Sequence, residues 1–161
     1  MMWVRSLAAP TVQLYGAGRT MILYTASSVV GFFASSVVGY ILPGMPRFLA
    51  GAGFTVGASA PVFGLLGALY LYGQRTGSSH VSQHAKSYAL ILGLFGFVMP
   101  GIDNWAHAGG FLGGFLAARV LDPLKPERPD HMLWGLGCLV ASLAAIVASL
   151  ITGLRILPYL P

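Results

Sequence analysis

Charge is what this sequence has least of. Of 161 residues only 8% are Asp, Glu, Lys or Arg, and just four are acidic, while 56% are hydrophobic. The mean hydropathy is +0.76. So few charges do not cover a water-soluble globule, and the composition belongs to a lipid bilayer. A single cysteine, Cys138, excludes an internal disulfide, and its place in an apolar run reads as packing. The formal net charge is +5, yet the basic residues stand singly and form no cluster or basic-aromatic stripe. That excludes nucleic acid as the expected partner. A cleavable leader is also absent from the reading, since the first apolar run begins only after Arg19 and several more follow it.

What the sequence does have is a series of apolar runs. Five spans are predicted, Met21 to Leu42, Phe54 to Tyr72, Tyr88 to Met99, Asn104 to Leu121 and Met132 to Leu154. The third is short against the ~20 residues a spanning helix needs, so it draws on Ala85 to Ser87, thins the bilayer or is sheltered by its neighbours. Pro43-Gly44-Met45-Pro46, Gly77-Ser78-Ser79, Pro100-Gly101 and the stretch from Pro123 to Pro129 separate the spans. These are loops inside one domain.

Positive charge sets the orientation, because loops rich in Lys and Arg stay on the cytoplasmic side. Arg5, Arg19, Arg75, Lys86, Arg119, Lys125 and Arg128 fall on one side, and only Arg47 and Arg155 on the other. The second and fourth spans therefore both run from outside to inside. Ser59 and His107 lie near the starts of those two spans, at about one depth, within roughly 5 to 10 Å of the helix starts at ~1.5 Å of rise per residue.

Gly109, Gly110, Gly113 and Gly114 form two overlapping small-x-x-x-small patterns on the fourth span, and Gly57, Gly64 and Gly67 offer a matching surface on the second. For the glycines alone, ordinary membrane helix packing is the stronger reading. An ionisable side chain within a membrane is costly, which makes His107 a functional hypothesis, with an interhelical hydrogen bond as its bland alternative. Pro61 suits the first turn of a helix, so Ser59 sits just before or at the start of the second span. Free amides and the positive end of the helix dipole there favour a developing negative charge. The combination suits acyl transfer, with Ser59 as nucleophile and His107 as base and then acid. Phe63, four residues on from Ser59, packs against the imidazole or simply fills the core. Asp103 either orients His107 as a third member or, the stronger reading, caps the fourth helix.

The order of these segments resembles the rhomboid family of intramembrane serine proteases. That family carries a Gly-x-Ser-Gly motif at the start of one transmembrane helix and Ala-His-x-x-Gly-x-x-x-Gly on another. Here the matching stretches are Gly57-Ala58-Ser59-Ala60 and Ala106-His107-Ala108-Gly109-Gly110-Phe111-Leu112-Gly113-Gly114. The resemblance implies a Ser59–His107 catalytic pair, with Gly57 and the Ser59 amide near the oxyanion. It implies transmembrane protein substrates, hydrolysis of a peptide bond in or beside a membrane helix, and no cofactor. A bacterial cytoplasmic membrane is the expected location.

Two departures stand out. Ala60 replaces the family's usual glycine, and the family's front helices, one with oxyanion-holding His and Asn, have no counterpart here. A chain shortened at its front is therefore expected. The fold expected is all-α, a rhomboid-like polytopic bundle of about five transmembrane helices, forming one domain over residues 1–161 with 132–154 as an extra C-terminal span. The rival function is a catalytically inactive relative that binds transmembrane helices, and a plain scaffold or small transporter is third. The short third span is a candidate moving element for lateral substrate entry. His80 and His84, spaced i, i+4, would make a metal pair if helical, but they are read in a solvated loop with no carboxylate or cysteine near, so no metal site is expected. Trp105, Tyr70, Tyr72 and Trp134 are read as interfacial anchors.

Overall fold

The computed structural model describes residues 2–42, 57–99 and 101–156. Among the described residues it holds six helices and no strand. They are α1 (Met2–Tyr15), α2 (Ala17–Ile41), α3 (Ser59–Thr76), α4 (Ser79–Val98), α5 (Asn104–Val120) and α6 (Pro129–Ile156). The fold class is all-α as expected. Two helices, α2 and α6, are long and apolar enough to cross a membrane by themselves, so length and composition support two of the expected five spans.

The boundaries differ from the sequence reading in informative ways. The third apolar run belongs to a longer helix: α4 has 20 residues and starts at Ser79, its first half polar. Gly77 closes α3 at φ 70°, a left-handed conformation glycine adopts without penalty, and Ser78 caps α4 by accepting the Val81 amide. Ser82, Gln83 and His84 do not interrupt a helix already nucleated, so His80 and His84 are helical and not in a loop. The second span begins at Ser59, and Phe54, its expected start, lies outside the described residues. The sequence reading assigned no helix to α1. Proline opens α6 at its first position, where a missing amide donor costs little.

Three helices, α2, α3 and α5, make the centre, and glycine is why they can. Gly109 and Gly113 face α2: an added Cβ at Gly109 would lie 2.7 Å from Ala34 Cβ, and one at Gly113 would lie 2.8 Å from Val30 Cβ. Gly110 and Gly114 face α3, against the backbone of Ala60 and Gly64 respectively. The two overlapping patterns on α5 thus serve two different neighbours. Ser27, fully buried on α2, fills the space beside Gly64 and bonds its hydroxyl back to Leu23 O at 2.5 Å. Gly67 abuts the backbone of Phe111 and Phe115, so α3 and α5 lie side by side and parallel.

The end of the bundle that carries Arg75 and Arg119, the inner end by the charge expectation, is polar and well bonded. Arg75 reaches Asp122 at 3.5 Å and Arg119 O at 3.2 Å. Arg19, read from sequence as a loop charge, is 2% exposed. Its guanidinium donates to Lys125 O (2.9 Å), Pro126 O (2.5 Å) and His131 Nδ1 (3.0 Å). A buried guanidinium is tolerated because these acceptors replace water. Beside it α6 crosses α2 where an added Cβ on Gly135 would lie 2.7 Å from Gly18 Cα. Tyr70 and Tyr72 are half-buried and pack against other rings. Tyr70 lies by Phe111 and Phe115, and Tyr72 by Tyr15, whose hydroxyl donates to Ala68 O at 2.8 Å.

Candidate active site

The site lies at the end of the bundle opposite the arginines. Ser59 is the first residue of α3, and its side chain is exposed. No side chain caps this helix start and Pro61 has no N–H, so the amides of Ser59 and Ala60 are the donors of its first turn. Gly57, two residues earlier, has φ 125° and nothing within 4 Å of an added Cβ. It belongs to the approach to Ser59 and does not join the packing surface expected of it beside Gly64 and Gly67. Ala60 is fully buried, and its methyl is directed toward Gly31, where an added Cβ would come within 2.8 Å.

His107 belongs to the first turn of α5 and is 7% exposed. Asp103 caps that helix, accepting the Ala106 amide at 2.9 Å, which fits the capping reading of the sequence. The imidazole stacks on Phe63, with ring centroids 4.1 Å apart and an interplanar angle of 13°. Since Phe63 is one helical turn after Ser59, the stacking brings the imidazole to the end of α3 that carries the serine. His107 Nδ1 is buried without a hydrogen-bond partner among the described residues, and no hydrogen bond joins the ring to Ser59. Catalytic hydrogen bonds are often long in unliganded sites and tighten around substrate.

A largely apolar cavity of about 520 Å³ opens on the α4 side of the imidazole. Phe63, Gly93, Phe97, Asn104, His107 and Leu112 contribute to its lining. Asn104 ties its far wall in place, donating to Gly96 O of α4 at 3.2 Å. Sequence reasoning missed Asn104, and also Ser35, which is 2% exposed and donates to Asp103 Oδ2. The recoverable signal was the i, i+4 series Ser27, Gly31, Ser35, a small-residue face on α2. His80 and His84 stack 4.4 Å apart on α4, and among the described residues no group of three or more metal-ligating side chains occurs.

Apolar helices joined by glycine seams make this an integral membrane protein. The chain belongs to the rhomboid family, whose Rhomboid domain model matches residues 1–123. It is 29% identical over 119 residues to rhomboid protease GluP of Bacillus subtilis, covering 72% of this chain and 21% of that protein. RHOMBOID-like protein 1 of Arabidopsis thaliana is 38% identical over 73 residues, 43% of this chain and 19% of that one. RHOMBOID-like protein 4 of the same plant is 44% identical over 73 residues, 42% and 18% of the two chains. The chain spans about a fifth of the length of these curated relatives. No solved structure matches it significantly.

Proposed function

We propose that the protein is an intramembrane serine endopeptidase that cuts transmembrane protein substrates with Ser59 as nucleophile and His107 as general base. The observation that carries this reading is the stacking of His107 on Phe63, one turn from an exposed Ser59 at an uncapped helix start. As Ser59 Oγ bonds to the scissile carbonyl carbon, its proton passes to the imidazole. The amides of Ser59 and Ala60 face the oxyanion. The imidazolium then protonates the leaving amide nitrogen as the C–N bond breaks. A water deprotonated by His107 releases the acyl group and restores the serine hydroxyl. The imidazole lacks a partner at Nδ1 among the described residues, which supports a two-residue pair over a triad.

Ala60 fits this reading because Gly31 makes room for its methyl on the α2 side, away from the first-turn amides. The cavity beside His107 is where an unwound stretch of substrate would lie, with α4 as its movable wall. We take residues 1–161 as one membrane domain, with α6 an addition beyond the matched residues 1–123. A bacterial cytoplasmic membrane is part of the same proposal, supported by the Bacillus relative, although plant relatives match as well.

The second reading, an inactive protein that binds transmembrane helices, is favoured by the missing Ser59–His107 hydrogen bond. A fluorophosphonate probe separates the two. Covalent labelling in proteoliposomes that disappears in both Ser59→Ala and His107→Ala is expected of the enzyme. Absence of labelling, together with retained capture of a transmembrane peptide, supports the binder.

A further inference from the structure

The first turn of α5 is held by a carboxylate with its two oxygens in different hands. Asp103, 7% exposed, accepts the Ala106 amide through Oδ1. Through Oδ2 it accepts the hydroxyl of Ser35, a residue of α2 that is 2% exposed. Around this bridge the two helices touch without intervening side chains: an added Cβ on Gly31 would lie 2.6 Å from Ala106 O, and one on Gly109 3.0 Å from Gly31 Cα. Glycine contacts fix how closely α5 approaches α2 and α3 along its length, but they give its first turn no directional bond. The bond from Ser35 to the charged Asp103 supplies one, because such bonds are short and geometrically demanding. His107 follows Ala106 directly, and its own amide bonds to Asp103 O at 3.2 Å. Any rotation of the capped turn therefore swings the imidazole across Phe63.

From this juxtaposition we infer that Ser35 and Asp103 are a positioning pair for the His107 imidazole, acting across the α2–α5 seam without touching substrate. The inference rests on the proteolytic reading for its kinetic consequence, though its structural part is independent of it. Misplacing a catalytic group by about 1 Å can cost about 100-fold in rate. Loss of the Ser35 tether alone should cost less, about 10-fold.

The test compares Ser35→Ala with Ser35→Thr, which keeps the hydroxyl, in nanodiscs and proteoliposomes. Ring resonances of His107 are read in histidine-labelled protein and assigned with His107→Ala, there being four histidines in all. Ser35→Ala is expected to shift or broaden the His107 resonances and to lower kcat about 10-fold at unchanged KM, and Ser35→Thr to restore both. Unchanged His107 resonances in folded Ser35→Ala, with kcat at the wild-type value or falling only with the folded fraction, would overturn the inference. If Ser35→Ala does not fold, Asp103→Asn is read in its place, expected to shift the same resonances because a neutral amide accepts the Ser35 hydroxyl more weakly. Resonances that respond to Ser35→Ala in a protein that cuts no substrate would sink the protease reading and leave the pair standing.

Discussion

Two buried polar side chains at opposite ends of the bundle are treated in opposite ways. Arg19, at the inner end, has its guanidinium bonded to two carbonyls and a histidine nitrogen, while Glu127 accepts its backbone amide at 2.9 Å. His107, at the other end, keeps a buried Nδ1 without a partner among the described residues and borders a 520 Å³ cavity. A buried polar atom left unsatisfied costs about 1–3 kcal/mol, and proteins leave few of them. The satisfied end contributes to stability, and the unsatisfied nitrogen lies at the end proposed above as the active site. Perturbations at the two ends should therefore separate activity from folding.

The largest effect is expected from His107→Phe, which keeps a ring on Phe63 and removes the base. Probe labelling and cleavage should fall at least about 100-fold, the usual scale of a general base. Stability should stay within about 1 kcal/mol of wild type, since an unpaired nitrogen is removed along with the imidazole. Thermal unfolding in nanodiscs beside a labelling assay reads both. A His107→Phe protein that unfolds readily would make the imidazole a structural element and dissolve the contrast. Next in size is Gly114→Ala, whose added methyl would sit 2.5 Å from Gly64 C. Backbone cannot yield there as a side chain can, so α3 and α5 must part. Overpacking on the order of 1–3 kcal/mol is expected, with loss of labelling because the parting separates Ser59 from His107. Gly137→Ala on α6, with nothing within 4 Å and outside the cavity lining, is the matched control and should leave both unchanged or slightly stabilise α6.

The outer end was far more legible in the sequence than the inner one. Ser59 at a helix start followed from Pro61, and the Asp103 cap from its place three residues before Ala106, both local rules. The glycines of α5 announced close packing, but not that Gly109 and Gly113 serve α2 while Gly110 and Gly114 serve α3. That division depends on helix rotation, which periodicity alone leaves open. Arg19 was misread because a lone arginine before an apolar run looks like loop charge. Its acceptors come from residues 125–131, more than a hundred positions away. The length of α4 was underestimated for a different reason: its first half carries His80, Gln83, His84 and Lys86, and hydropathy registers span, not helix. Ser35 escaped because a serine in a membrane helix is usually a small packing residue, and only the carboxylate opposite distinguishes it.

Arg19→Met tests the inner end. It retains much of the buried stem while leaving the carbonyls of Lys125 and Pro126 without the guanidinium donor, and His131 Nδ1 with the Arg128 amide alone, at 3.3 Å. A loss of about 1–3 kcal/mol is expected, seen as earlier unfolding, with labelling of Ser59 in the folded protein unchanged. A change in labelling rate would mean that the two ends are mechanically linked through α2.

The smallest effect separates the two halves of that anchor. Gly16 precedes α2 at φ 89° and brings no side chain to cap it, so the carboxylate of Glu127 takes that place from a distant loop. An added Cβ at Gly16 would meet that carboxylate, the far end of a flexible side chain that can shift aside, so it is the backbone conformation that calls for glycine. Glu127→Gln keeps an acceptor oxygen for the Arg19 amide and removes the negative charge facing the helix start. The expected loss is about 0.3–1 kcal/mol, and because it is a charge-dipole effect near the surface it should shrink as salt is raised. Unfolding measured at low and high ionic strength checks this. A salt-independent loss as large as that of Arg19→Met would mean that the carboxylate, and not the carbonyls of residues 125 and 126, is what holds the arginine in place.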